Sequence, residues 1–325
     1  MKTIEKEITI QSKVALKGTL SMPETRSDKS PAILIIVGSG KLDRNGKVNK
    51  KLDLKLYRQL AEFLTSIGYI TLRYDKRGVA ESEGDYLITG LWDLVDDAQA
   101  AVQFLKSLPE VDSKSVIVLG HSEGCIIGTA VAAREDLGGL ILLSGAVERI
   151  SEALKRQRDL AVEDIKNAKG LKGFLLRLFG THNKVEQQAQ KAINKLLQST
   201  DDVMKATFVK TNAKWLREHF NYNVREDLSK VTCPVLAITG SRDVQANPAA
   251  LNDLPLYVKV DAQFKVIENM AHSCKLVTYN STIFTMKKDI VAQGDLPIHP
   301  ELKNQLETWL QNLFVNKDSI HSDII

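Results

Sequence analysis

The chain has 325 residues and a mass of 36.1 kDa, a length that suits one large domain with an insertion better than two full catalytic domains. Apolar residues make up 43% and charged residues 26%, which excludes a disordered or fibrous chain. The 44 basic and 40 acidic residues leave a formal charge of +4, so composition gives no case for a nucleic-acid binder.

Taken in order, the predicted elements alternate. Residues 4–10 and 14–22 have strand character and are split by Gln11, Ser12 and Lys13; an antiparallel hairpin therefore opens the chain. PAILIIV (31–37) reads as a buried strand, and 51–68 as an amphipathic helix that stops at Gly68. YITLRYD (69–75) is a strand, 91–108 a helix stopped by Pro109, and 115–120 a strand that runs straight into a helix from Ser122 to about Arg134. Further strands fall at 139–145, 233–240 and 262–269, and a last helix at about 300–315 begins near Pro300. Strands joined by helical crossovers predict an α/β fold, a mostly parallel central sheet with helices on both faces.

Residues 150–225 break the rhythm, with no convincing strand. Val185, Ala189, Ala192, Ile193, Leu196 and Leu197 share one helical face, and Ser199-Thr200-Asp201 offers caps for a further helix. The expected organisation is a core of residues 1–149 and 226–325, with a helical cap, 150–225, inserted between core strands.

The N-terminal stretch lacks the apolar centre of a signal peptide. No run approaches the roughly 18 apolar residues of a membrane span. Cys125, Cys233 and Cys274 are odd in number and widely spaced, which gives neither a disulfide framework nor a metal signature. The six histidines are scattered. The expectation is a reduced, cytoplasmic protein with no bound metal.

Gly120-His121-Ser122-Glu123-Gly124 matches GxSxG, with a buried strand before it and a helix after it. In such a turn the serine is strained and exposed, and small residues flank it because larger ones would strike backbone. Ser122 is thus the candidate nucleophile, with a helix N-terminus beneath it to favour an oxyanion. A serine nucleophile needs a base and a group that orients the base. Asp243 follows the strand at 233–240 and His272 the strand at 262–269; both lie past C-terminal strand ends, where sites of open α/β sheets collect. Asp253 and Asp261 are the alternatives for the acid. The oxyanion donors are expected to be the backbone N–H groups of Glu123 and Ser39, with Gly40 next in line.

These residues resemble the α/β-hydrolase fold family over residues 14 to 315, the cap excepted. Within it the chain is similar to bacterial carboxylesterases of the dienelactone-hydrolase-like group, whose loop GSGPxDRxG appears here at 38–46 with Lys41 in the proline's place. Their elbow is often GHSEG, as at 120–124. Their DxRGxGxS stretch appears as Asp75-Lys76-Arg77-Gly78-Val79-Ala80-Glu81-Ser82, with Ala80 in the place of the second glycine. The resemblance implies hydrolysis of an ester or thioester without a cofactor. The expected partner is a small-molecule substrate, with no nucleic acid or membrane, for a monomer or homodimer. An acyl-CoA thioesterase, a small peptidase or amidase, and a non-catalytic member of the fold are the other readings.

Arg77 is expected to pair with Glu123 beside the elbow, with His121 as a further supporting residue. Phe174, Leu175, Leu176, Leu178 and Phe179, with Phe208, Trp215 and Phe220, are expected to pack the cap and in part line an acyl pocket. Residues 151–220 hold 14 basic and 8 acidic residues, so the net positive charge belongs to the insertion. A solvated outer helix face accounts for it; attraction of acidic substrates is the sharper alternative.

Overall fold

The computed structural model describes residues 2–25, 29–167, 181–206 and 209–322. Its main sheet has eight strands: β1 Thr3–Gln11, β2 Ala15–Pro23, β3 Ser30–Ile36, β4 Ile70–Tyr74, β5 Val111–His121, β6 Gly139–Leu143, β7 Val235–Gly240 and β8 Ala262–Ile267. Their spatial order is β1-β2-β4-β3-β5-β6-β7-β8. β1 and β2 form the expected hairpin, β2 runs antiparallel to β4, and the remaining pairs are parallel.

The apolar runs have a simple cause. Side chains alternate across a strand, so a sheet covered on both faces needs apolar residues at every position. On β3, Ile33 and Ile35 join one buried cluster; Ala32, Leu34 and Ile36 join the other. The first cluster is closed by α1 (Leu56–Ser66) through Leu56, Leu60 and Leu64, and by the C-terminal helix through Leu302, Leu306 and Trp309. The second is closed by α2 (Leu91–Ser107) and α3 (Glu123–Ala132).

Helix α1 begins five residues later than its periodicity predicts. Residues 52–53 pair instead with 47–49, and Lys55 takes a left-handed φ of 52° as the chain enters the helix.

Between β6 and β7 lie α4 (Ile150–Asn167), α5 (Thr181–Gln198), α6 (Ala213–Asn221) and α7 (Val224–Leu228). The insertion is not free of strands. Val203–Ala206 and Val209–Asn212 form a short antiparallel hairpin, built from β-branched Val203, Val209 and Thr211. The expected helix after Ser199-Thr200-Asp201 is therefore absent. Helix α6 is capped by Asn212, whose side chain accepts from Trp215 N–H at 2.8 Å and donates to the carbonyls of Tyr86 and Thr89. Leu196, on the apolar face of α5, is buried. Phe174, Leu175, Leu176, Leu178, Phe179 and Phe208 lie outside the described residues. The remaining helices are α8 (Leu254–Tyr257), α9 (Met286–Gln293) and α10 (Pro300–Ser322). Among the described residues no helix is long and apolar enough to cross a membrane.

Candidate active site

Ser122 sits between β5 and α3 with φ 56° and ψ −118°, a left-handed conformation that costs a non-glycine residue of order 1–3 kcal/mol. The turn is tight enough to dictate its neighbours. A Cβ on Gly120 would lie 2.1 Å from the Gly124 carbonyl oxygen, and one on Gly124 would lie 2.2 Å from that of Ile36. Ser122 N–H donates to the Leu143 carbonyl at 2.9 Å, which ties the turn to the next strand.

The structure brings the three separated residues together. His272 Nε2 lies 3.1 Å from Ser122 Oγ, and its Nδ1 lies 3.0 and 2.9 Å from the two oxygens of Asp243. Asp253 and Asp261 take no part; Asp253 ends a 3-10 turn and Asp261 precedes β8, at the wrong end of the sheet. Burial works to raise the Asp243 carboxyl. The charge and hydrogen bond of His272, with the amides of Ala246 and Gln245, overcome it and hold the group below the usual carboxylate range.

His121 lies beneath this arrangement. Gly38 N–H donates to Tyr57 Oη at 2.8 Å, so the phenol hydrogen is free to go to His121 Nδ1 at 3.0 Å. His121 Nε2–H then donates to the His272 carbonyl at 2.9 Å. This assigns a neutral Nε2–H tautomer, in accord with the group's pKa, which burial first and the charge of His272 second push down to about 3.

Ser122 and His272 open into a cavity of about 130 Å³. Ser39 and Glu123 line it; Gly40, with a φ of 91°, does not. The floor also presents Ser144 and Gly145. Ile150, Ala153, Leu154 and Gln157 of α4, with Trp215 of α6, wall it from the insertion.

Residues 53–275, which include all three of these side chains, match the hydrolase family described as serine aminopeptidase, S33. The chain belongs to this family. Esterase EstD of Thermotoga maritima is 27% identical over 241 residues, which are 74% of this chain and 52% of that protein; the chain thus spans about half the length of that relative. Est1E of Butyrivibrio proteoclasticus, solved with ferulic acid bound, aligns with a TM-score of 0.56 at 20% identity over 88% of this chain and 96% of that one. The Pyrococcus furiosus esterase Pf2001 gives 0.58 at 15% identity over 96% and 92%. At such identities the likeness is one of fold, the α/β-hydrolase fold.

One expected contact is not made. Arg77 does not pair with Glu123. Its guanidinium grips Asp97 of α2 at 2.7 and 2.5 Å and Asp93 at 3.2 Å. Neighbouring side chains past the end of β4 diverge, so it is Lys76 that faces the elbow and meets Glu123 Oε2 at 3.1 Å. The other oxygen, Oε1, takes Trp215 Nε1–H and lies 3.2 Å from His219 Nε2. Burial pushes the Glu123 carboxyl up, but Lys76 and His219 outweigh it and bring it down to about 2.

The sequence motifs also acquire physical roles. Arg44 spans the two loops: its backbone N–H and Nη1 both bond the buried Asp75 at 2.7 Å, and Nη2 reaches Glu7 and Glu81. Ser82 donates to the Asp75 carbonyl at 2.7 Å. Ala80, where the resembled group has glycine, does adopt a glycine-like φ of 48°. Arg156 of α4 pairs with Glu148 at 2.9 Å and donates to the carbonyls of Val244 and Gln245, next to Asp243. Tyr57 and Arg156 carry no motif; Lys76 has one signal, its place beside Arg77 in the Asp75–Ser82 stretch.

Proposed function

We propose that the protein is a serine hydrolase that cleaves carboxylic esters of small to medium acyl chains through an acyl-enzyme. The observation that carries this is His272 lying between the strained Ser122 hydroxyl and the buried Asp243, one ring nitrogen to each. Nδ1–H toward the carboxylate leaves the Nε2 lone pair facing Ser122. His272 takes the serine proton as Oγ attacks the ester carbonyl. The negative oxygen is received by the N–H groups of Ser39 and Glu123, His272 then protonates the leaving alcohol, and water repeats the sequence to release the acid. Asp243 fixes the tautomer and stabilises the imidazolium.

The cavity volume suits a short acyl group, and the insertion acts as a cap that walls it. The family's description also raises cleavage of an amino-terminal residue. That reaction needs a carboxylate for the substrate's ammonium group. Among the described residues, both carboxylates lining the cavity are already met by cations, Glu123 by Lys76 and Glu148 by Arg156, so ester cleavage is the better reading. The three free, buried cysteines accord with a reduced, cytoplasmic setting.

Ser122→Ala is expected to lower turnover of p-nitrophenyl acetate or butyrate by at least about 10³-fold and to abolish labelling by a fluorophosphonate, with the fold intact. Near-normal turnover in that variant would sink the assignment. Comparison of an ester with its acyl-CoA analogue separates esterase from thioesterase.

A further inference from the structure

The buried ammonium of Lys76 has no part in the proton relay, yet it touches both halves of the oxyanion site. Its side chain is 4% exposed. Nζ donates to the Gly38 carbonyl at 2.7 Å and to Glu123 Oε2 at 3.1 Å.

The first contact bears on Ser39. The Gly38 carbonyl and the Ser39 N–H belong to one peptide unit, and that unit is trans. In a trans peptide these two groups point in opposite directions. A carbonyl drawn to Lys76 therefore turns the Ser39 N–H the other way. Gly38 is fixed on its other side as well, by its N–H to Tyr57, and it packs so closely on the elbow that an added Cβ would lie 3.3 Å from Ser122 Cβ. A cation on the carbonyl oxygen also polarises the peptide and strengthens its N–H as a donor.

The second contact bears on Glu123. Its backbone N–H is the other proposed donor, and its side chain is a buried carboxylate one residue from the nucleophile. Unpaired, that charge would oppose the oxyanion that forms on the substrate. Lys76 offsets it, and Trp215 donates to its second oxygen. A lysine suits this place because it offers a compact charge with three donors that can serve two acceptors at once.

We propose that Lys76 is a positioning residue of the oxyanion hole, which aims the Ser39 N–H through the Gly38 carbonyl and neutralises the side chain behind the Glu123 N–H. The inference rests on the serine-hydrolase reading above and adds to it a group that never touches substrate.

The test uses Lys76→Met and the pair Lys76→Met/Glu123→Gln. The single change strands a buried carboxylate and is expected to lower the melting temperature. The pair removes both charges and keeps the fold, but the Gly38 carbonyl still lacks its donor. In the pair, kcat/KM for p-nitrophenyl butyrate is expected to fall about 10- to 100-fold, with KM within about 2-fold of the parent, because removing a full oxyanion donor costs about 10²–10³. Affinity for a trifluoromethyl ketone, whose adduct places a negative oxygen in the hole, is expected to fall by the same factor. A merely structural residue would shift the melting temperature and leave that correspondence absent. Parent-like kcat/KM and ketone affinity in the folded pair would overturn the proposal, as would a loss confined to KM. Ser122→Ala, run beside it, keeps the two readings apart. If that variant stays active, the serine mechanism itself falls; if it is dead while the pair is unimpaired, only the role of Lys76 does.

Discussion

The two sides of the candidate site are built by opposite means. On the sheet side, the elbow is set by backbone: Ser122 in a left-handed turn, with Gly120 and Gly124 pressed against carbonyls, over strands whose central residues are apolar and buried. On the insertion side, α4 buries only Ile165, Ile150 and Trp215 pack on the core only partly buried, and polar contacts add to the hold: Arg156 on Glu148 and the acid loop, Gln157 on the Gln245 carbonyl at 2.9 Å, Lys214 on Asp93 at 2.6 Å, Trp215 on Glu123. Close packing tolerates almost no change, whereas exchangeable polar contacts can be broken and remade at modest cost. Ser122 thus stands on the rigid side and the pocket wall on the adjustable one.

That contrast can be broken experimentally, and the largest effect is expected on the sheet side. Gly124→Ala places a methyl against the Ile36 carbonyl, which belongs to a central strand and cannot yield. A loss of about 3 kcal/mol or more is expected, read as the urea midpoint, or a failure to fold.

Next comes pH. His121 is neutral when folded, with its pKa near 3 against 6.5 for the free group. A depressed folded value means the unfolded chain binds the extra proton. The stabilisation is therefore complete above about pH 6.5 and is lost as pH falls from there toward about 3, at about 1.4 kcal/mol per unit for one proton. His121→Gln should lose about 2 kcal/mol less stability than the parent between pH 7 and 5, by denaturant unfolding at each pH. Equal slopes would show that His121 is not held neutral.

The smallest stability change is expected on the insertion side. Arg156→Ala leaves Glu148 and two carbonyls short of a donor, for about 1–2 kcal/mol, yet kcat/KM should drop about tenfold because the Asp243 loop loses its outer support. A stability loss as large as that of Gly124→Ala would erase the contrast between the two sides.

The same contrast explains what could be read from the sequence. The elbow was legible because collisions between backbone atoms forbid side chains at 120 and 124, and such prohibitions leave a spelling. Asp243 and His272 were legible from chain order and from their places just beyond β7 and β8. Polar contacts across space leave no spelling. Nothing in the order of residues distinguishes Lys76 from Arg77 as the partner of Glu123; only the direction in which each side chain leaves the end of β4 does. The hairpin at 203–212 was hidden for a related reason. Strands of four residues are too short to display a period, and Ser199-Thr200-Asp201 resembles a helix cap whether or not a helix follows.

The line from Gly38 through Tyr57 and His121 to the His272 carbonyl has a mechanical meaning. It begins and ends on backbone and contains no ion, so neither salt nor a shift of pH within the neutral range alters its length. The loop that holds Ser39 and the loop that carries His272 are thereby coupled like two jaws on one pin. A change that displaces either jaw displaces the other, so Ser39 and His272 keep or lose their places together.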